Sequence, residues 1–120
     1  MKTTRIFTYG TLMTGQPNHR LLTGARMLGA ARTEAQFDLV DLGPFPGMVT
    51  GGSTAIAGEV YAVDRETLAA LDRLEGHPRF YQRRTIRLAN GQWIATYIYP
   101  QRPPGCPLVP GGDWRNAKGV

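Results

Sequence analysis

At 120 residues with 42% hydrophobic content the chain has room for one core, and its 15 glycines and 9 prolines follow no fixed period, which excludes collagen-like and repeat architectures. The charge of +5 comes mostly from arginine, 12 of 14 basic residues, scattered except for Arg83, Arg84 and Arg87, so the continuous basic stripe expected of a nucleic-acid partner is missing. No stretch nears the ~18 apolar residues of a membrane span, no signal-peptide pattern opens the chain, and Cys106 is the single cysteine; a cytoplasmic, single-domain protein (1–120) without membrane or nucleic-acid partners is expected.

In chain order, Arg5-Ile6-Phe7-Thr8-Tyr9 is β-branched and aromatic and stops at Gly10, which reads as a strand entering a tight loop. Pro17 opens a short helical segment to about Leu22. The pattern over 26–40 is ambiguous, with a strand expected from Ala35 to Val40, and Gly43-Pro44-Phe45-Pro46-Gly47 is expected to be irregular. Ala55 to Val63 alternates as a strand. Asp64 then caps a helix over Arg65 to Glu75, which Gly76 and Pro78 end. Phe80 to Leu88 and Trp93 to Tyr99 flank Asn90-Gly91, the strongest short hairpin signal. From Pro100 onward runs a Pro/Gly-rich tail anchored by Trp114. Strands outnumber helices, so the fold class is α+β: a compact single domain with a mostly antiparallel, barrel-like sheet and few peripheral helices.

Two places carry chemistry. Gly10 and Gly15 have the spacing of a phosphate loop, but Gln16 and Pro17 stand where that loop needs Lys and Ser or Thr. What survives is either an ordinary turn or a loop whose successive backbone N–H groups bind a carboxylate or oxyanion. The second place is Glu75. At about 100° per residue it falls between Leu68 and Leu71 on the apolar stripe of its helix, in the last turn, where the dipole disfavours negative charge. Positions i−4 and i−3 are Leu71 and Asp72, so no nearby cation offsets these effects, and a raised pKa is expected. The alternative is a helix-end residue that turns to solvent. Glu59, by contrast, is expected on the outer face of its strand. With one cysteine, and with His19 and His77 both in turns, neither a metal site nor a catalytic triad has a basis, which leaves a cofactor-free proton-transfer site.

At these residues the sequence resembles the γ-glutamylcyclotransferase-like superfamily, through Tyr9-Gly10-Thr11-Leu12 after the first strand and Glu75 at the end of the main helix. Gly58-Glu59-Val60-Tyr61, Leu71-Asp72, Leu74-Glu75, Tyr81-Gln82-Arg83 and a strand ending in Tyr99 follow in the same order. The stretch Tyr9 to His19 is similar to the γ-glutamylamine cyclotransferases in particular, while Gly43 to Gly47 and Gly112 to Arg115 resemble short bacterial members. The resemblance implies a compact barrel-like fold and an intramolecular reaction on a small γ-glutamyl substrate, releasing 5-oxoproline and an amine. It implies Glu75 as general acid and base, the amides of Gly10 to Leu12 as a cradle beside Tyr9, and Tyr81 and Tyr99 as walls. A non-catalytic module binding a small molecule in the same cavity is the rival reading.

Overall fold

The computed structural model describes residues 2–117, and within them β-branched and aromatic runs become strands wherever both faces find a core. The strands are β1 (Thr4–Thr8), β2 (Arg26–Arg32), β3 (Phe37–Asp41), β4 (Pro46–Thr50), β5 (Ala57–Val63), β6 (Gln82–Arg87) and β7 (Trp93–Ile98). One helix, α1 (Arg65–Glu75), and short 3-10 turns such as His19–Leu22 complete the domain. Five strands form one sheet in the order β2-β5-β1-β7-β6, in which only the β1–β7 pair is parallel, and β3 with β4 forms a separate antiparallel hairpin.

The sheet is not a closed barrel, but its edges approach one another. Beyond β2 and β6, Thr33 bridges Leu88, Ala89 N–H donates to Arg32 O at 2.8 Å and Glu34 N–H to Arg87 O at 3.1 Å. The β3–β4 hairpin is tied to the end of β7 by Tyr99 N–H donating to Met48 O at 2.8 Å. Two clusters of buried side chains result. Alternation along β1 sends Phe7 into one, with Met13, Leu39, Met48 and Trp114, and Ile6 into the other, with Leu71 of α1, Tyr61, Tyr81 and Tyr97.

Three expectations are corrected. The ambiguous stretch contains β2, an edge strand that pairs with β5 through a bulge between Met27 and Gly29; it is mostly exposed, so no alternation marks it in the sequence. The segment 43–47 is not wholly irregular, because β4 begins at Pro46, the first-residue position where a strand tolerates the missing N–H. Glu59 is not on a solvent face: it is only 6% exposed, and its Oε1 accepts from Thr14 N–H at 2.8 Å, Thr14 Oγ1 at 3.1 Å and Tyr61 Oη at 3.0 Å. Side chains of β5 alternate between the two clusters, Val60 in one and Tyr61 and Val63 in the other, so both faces of the strand are covered and a carboxylate there must find donors.

α1 starts where Asp64 accepts from Thr67 N–H at 2.8 Å. It ends in a Schellman closure: Gly76 is left-handed at φ 66, its N–H donates to Arg73 O at 3.2 Å, and His77 N–H donates to Asp72 O at 3.0 Å. A Cβ on Gly76 would also sit 2.8 Å from Phe80 Cβ. Gly76→Ala is therefore expected to cost about 1–2 kcal/mol or more, read as a lower urea midpoint at unchanged m-value.

Candidate active site

The last turn of α1 carries two carboxylates three residues apart, and the structure treats them oppositely. Asp72 is held by charge-assisted hydrogen bonds: Oδ1 accepts from Tyr97 Oη at 2.6 Å and Arg83 Nε at 3.0 Å, and Oδ2 from Arg83 Nη2 at 3.2 Å. Burial works to raise its pKa, but the bonds from Arg83 and Tyr97 outweigh that and hold it below the ordinary value. Glu75 has no such partner among the described residues. Burial alone lifts its carboxyl from 4.5 to about 7.

Glu75 faces a cavity of about 240 Å³ that it shares with Tyr9, Gly10, Thr11, Leu12, Asn18, Phe45, Pro46, Leu74, Phe80, Tyr81 and Tyr97. Three tyrosine rings stand around it, yet each hydroxyl is engaged elsewhere. Tyr9 Oη donates to Tyr97 O at 2.7 Å and accepts from Met48 N–H at 3.1 Å; Tyr81 Oη donates to Pro46 O at 2.6 Å; Tyr97 Oη is the donor to Asp72. Burial first, with neighbouring Glu75 adding to it, keeps the Tyr9 and Tyr81 hydroxyls protonated. The rings present carbon to Glu75 and their polar tips point to other groups, which is why the site desolvates its carboxylate.

The loop after β1 is polar in one direction. Its carbonyls are taken: Gly10 O by Met13 N–H at 3.1 Å, Thr11 O by Asn18 N–H at 2.9 Å, Leu12 O by His19 Nδ1 at 2.9 Å and Met13 O by Gln16 N–H at 3.0 Å. The N–H groups of Gly10, Thr11 and Leu12 donate to nothing among the described residues. In a trans peptide C=O and N–H point opposite ways, so the bond from Asn18 N–H to Thr11 O also fixes the direction of the Leu12 N–H. Asn18 fastens Thr11 twice, since Asn18 Nδ2 also donates to Thr11 Oγ1 at 2.9 Å. Thr14, bonded to Glu59, anchors the far end. Gly10 is not in the left-handed region; glycine is required there because a Cβ would lie 2.8 Å from Pro46 Cγ.

Of the residues singled out from sequence, Glu75, Tyr9, Gly10, Thr11, Leu12 and Tyr81 meet at this cavity. Tyr99 does not line it; its ring packs one layer back, 5.3 Å from Tyr81 and 5.5 Å from Phe80. Sequence reasoning missed Tyr97, Asn18, Phe45 and Phe80, together with the Asp72–Arg83 pair behind them. The signals available were weak: the three-residue spacing of Asp72 and Glu75, and the period-two placement of Tyr97 and Tyr99. The single cysteine, Cys106, lies outside the cavity.

Residues 6–116 match the family described as gamma-glutamyl cyclotransferase, AIG2-like. A Vibrio cholerae protein provisionally named as a gamma-glutamylcyclotransferase is 44% identical over 110 residues, covering 91% of this chain and 93% of its own. The gamma-glutamylcyclotransferase family protein YtfP of Escherichia coli K12 is 39% identical over 111 residues, covering 92% and 95%. Among solved structures, an aig2-like protein from Mus musculus superposes with a TM-score of 0.81 at 28% identity, over 90% of this chain and 86% of that one. With its buried glutamate, its amide-bearing loop and this agreement over nearly the whole length, the chain belongs to the gamma-glutamyl cyclotransferase, AIG2-like family.

Proposed function

We propose that the protein is a cytoplasmic, cofactor-independent cyclotransferase that converts γ-glutamylamines to 5-oxoproline and a free amine, with Glu75 as general acid and base. The observation that carries this reading is a carboxylate lifted to about 7 by burial, in one cavity with a run of unengaged backbone N–H groups. A group with that pKa at neutral pH holds and releases a proton with comparable ease, which a two-way proton shuttle requires.

In the reaction the substrate's α-nitrogen attacks its own γ-carbonyl carbon, a C–N bond closes the lactam, and the C–N bond to the departing amine breaks. The α-ammonium becomes a lactam N–H and loses two protons, and the departing nitrogen gains two. Glu75 relays them one at a time. The amides of Gly10, Thr11 and Leu12 hold the α-carboxylate or the developing oxyanion, donors that need no reorganisation. Because attack is intramolecular, folding the glutamyl chain against Tyr9 and Tyr81 supplies much of the rate advantage. A binding module would gain nothing from a desolvated carboxylate, whose burial costs stability. The reading includes no nucleic-acid partner.

Glu75→Gln keeps the shape and cannot relay a proton, so 5-oxoproline release should fall by roughly 10²-fold or more while ligand affinity stays within a few-fold. In the parent enzyme kcat/KM should rise with pH through an apparent pKa near 7, the range of the Glu75 carboxyl. A Gln variant turning over at the parent rate would remove Glu75 from the mechanism.

Stability should show the same carboxyl. Its folded pKa lies above the unfolded one, so the folded state holds the extra proton and the parent loses stability as pH rises from about 4.5 through about 7. The Gln variant lacks that titration. The Tm difference, Gln minus Glu, should therefore grow by about 3 °C or more between pH 5 and pH 8. A pH-independent gap would mean an ordinary surface glutamate.

The loop can be tested separately. Thr11→Ala leaves every backbone donor in place and should retain measurable activity, whereas Gly10→Val drives side-chain atoms into the Pro46 ring and should abolish substrate binding in calorimetry. Equal loss in both variants would contradict a cradle made of backbone amides.

A further inference from the structure

We infer that Glu59, which does not line the cavity, is a positioning residue for the reaction: it closes the loop after β1 at both ends and so fixes where the Gly10, Thr11 and Leu12 amides stand. The assignment rests on the cyclotransferase reading of the neighbouring site and concerns a residue outside the cavity wall.

The loop leaves β1 after Thr8 and is tied again at Thr14, and Glu59 holds both points. In the β1–β5 register Thr8 pairs with Glu59, and Thr8 Oγ1 donates to Glu59 O at 3.1 Å. At the other end Thr14 N–H donates to Glu59 Oε1 at 2.8 Å, and Thr14 Oγ1 to the same oxygen at 3.1 Å. Residues 9–13 are therefore a closed turn hung on one residue, with the three cradle amides inside it. The support is itself fixed, because Glu59 pairs with Ala30 of β2 on one side and with Thr8 on the other.

A residue that merely filled this place in β5 would have no need of a carboxylate. Glu59 is 6% exposed, and burying a charged group costs free energy that an apolar side chain does not. Its partners show what the charge secures. Besides Thr14, Tyr61 Oη donates to Oε1 at 3.0 Å; burial first, with Glu59 adding to it, raises the pKa of that hydroxyl and keeps it a donor. On the far side Oε2 is 3.8 Å from Arg115 Nη1, while Arg115 Nε and Nη2 are taken by Asp113. Opening the loop would take two donors from a buried carboxylate, so the cost of that charge keeps the loop closed. The bonds from Met13 N–H to Gly10 O and from Asn18 N–H to Thr11 O set the shape of the loop, and the bonds at Glu59 fix that shape to the sheet.

Three variants test the brace. Glu59→Leu fills the space without an acceptor, Glu59→Gln keeps Oε1 as an acceptor, and Thr14→Val keeps the N–H bond but loses the hydroxyl. With γ-glutamylethylamine as substrate we expect KM to rise about tenfold in Glu59→Leu and severalfold in Thr14→Val, while Glu59→Gln retains most of the parent value. Thr14→Val leaves the buried carboxylate in place and tests the same brace should Glu59→Leu not fold. The apparent pKa near 7 in kcat/KM should stay where it is in all three, because Glu75 is untouched. A merely structural role lowers kcat in proportion to folded protein and leaves KM alone. That outcome, or equal KM in the Leu and Gln variants, would overturn the assignment. Hydrogen exchange in the ligand-free proteins reads the loop without turnover: relative to β7 amides, Met13 and Asn18 N–H should exchange about tenfold faster than in the parent for Glu59→Leu and not for Glu59→Gln. Absence of 5-oxoproline from the parent would count against the cyclotransferase reading alone. Exchange then decides the role of Glu59, since faster exchange at these two amides supports the brace and unchanged exchange sinks it.

Discussion

The clamp on Asp72 decides what Glu75 can be. Tyr97 on β7 and Arg83 on β6 both bond this carboxylate, at 2.6 Å and 3.0 Å, and so pin the last turn of α1 to two adjacent strands of the main sheet. The clamp engages two polar groups close to the end of α1. Tyr97 has its hydroxyl turned to Asp72, and the Arg83 charge is matched by a carboxylate of its own. An unmatched guanidinium near Glu75 would hold its proton affinity down. Arg83 is matched by Asp72 and does not line the cavity, and burial is the cause that moves the Glu75 pKa to about 7. The Schellman closure at Gly76 completes the placement by turning the chain immediately after the acid.

Opposite the acid, the loop after β1 obeys the complementary rule. Asn18 and His19 bond to its carbonyls, Thr14 is fastened to the buried Glu59, and the amides of Gly10 to Leu12 have no acceptor among the described residues. A row of unengaged N–H groups is costly unless something anionic completes it. Glu59 thereby has a role that its place in an alternating strand does not suggest. It is a buried carboxylate whose Oε1 is bonded by Thr14 and Tyr61 and whose Oε2 pairs with Arg115 at 3.8 Å, and it fixes the loop at Thr14.

The rim adds an apolar surface, with Leu74 39% and Phe80 45% exposed. Leu74 and Phe80 lie on either side of the acid in the chain, so the turn that places Glu75 also places them. A cavity with an acid in its wall, amides along a loop and an aromatic lip is asymmetric.

Much of this was legible along the chain. The Asp64 cap, the Gly76 stop, the Asn90-Gly91 hairpin and the placement of Glu75 on an apolar stripe depend on residues within a few positions of one another, and local periodicity with turn chemistry is enough to read them. β2 escaped because this mostly exposed edge strand, half-buried only at Gly29 and Ala31, shows no alternation of apolar and polar residues, and β4 because a proline at the first position of a strand looks like a breaker. Glu59 departs from its expected outer face because alternation tells faces apart but not which faces are covered, and clusters packed on both sides of the sheet cover both faces of β5. The Tyr97–Asp72–Arg83 clamp and the aromatic lip join residues far apart in the chain, so only the tertiary structure brings them together. The sequence by itself determined that an acid would sit at the end of an apolar helix face and that a glycine-bounded loop would follow the first strand. That the acid would be buried without a bonded partner among the described residues, and that the loop's carbonyls rather than its amides would be engaged, was decided by contacts between segments that local pattern cannot relate.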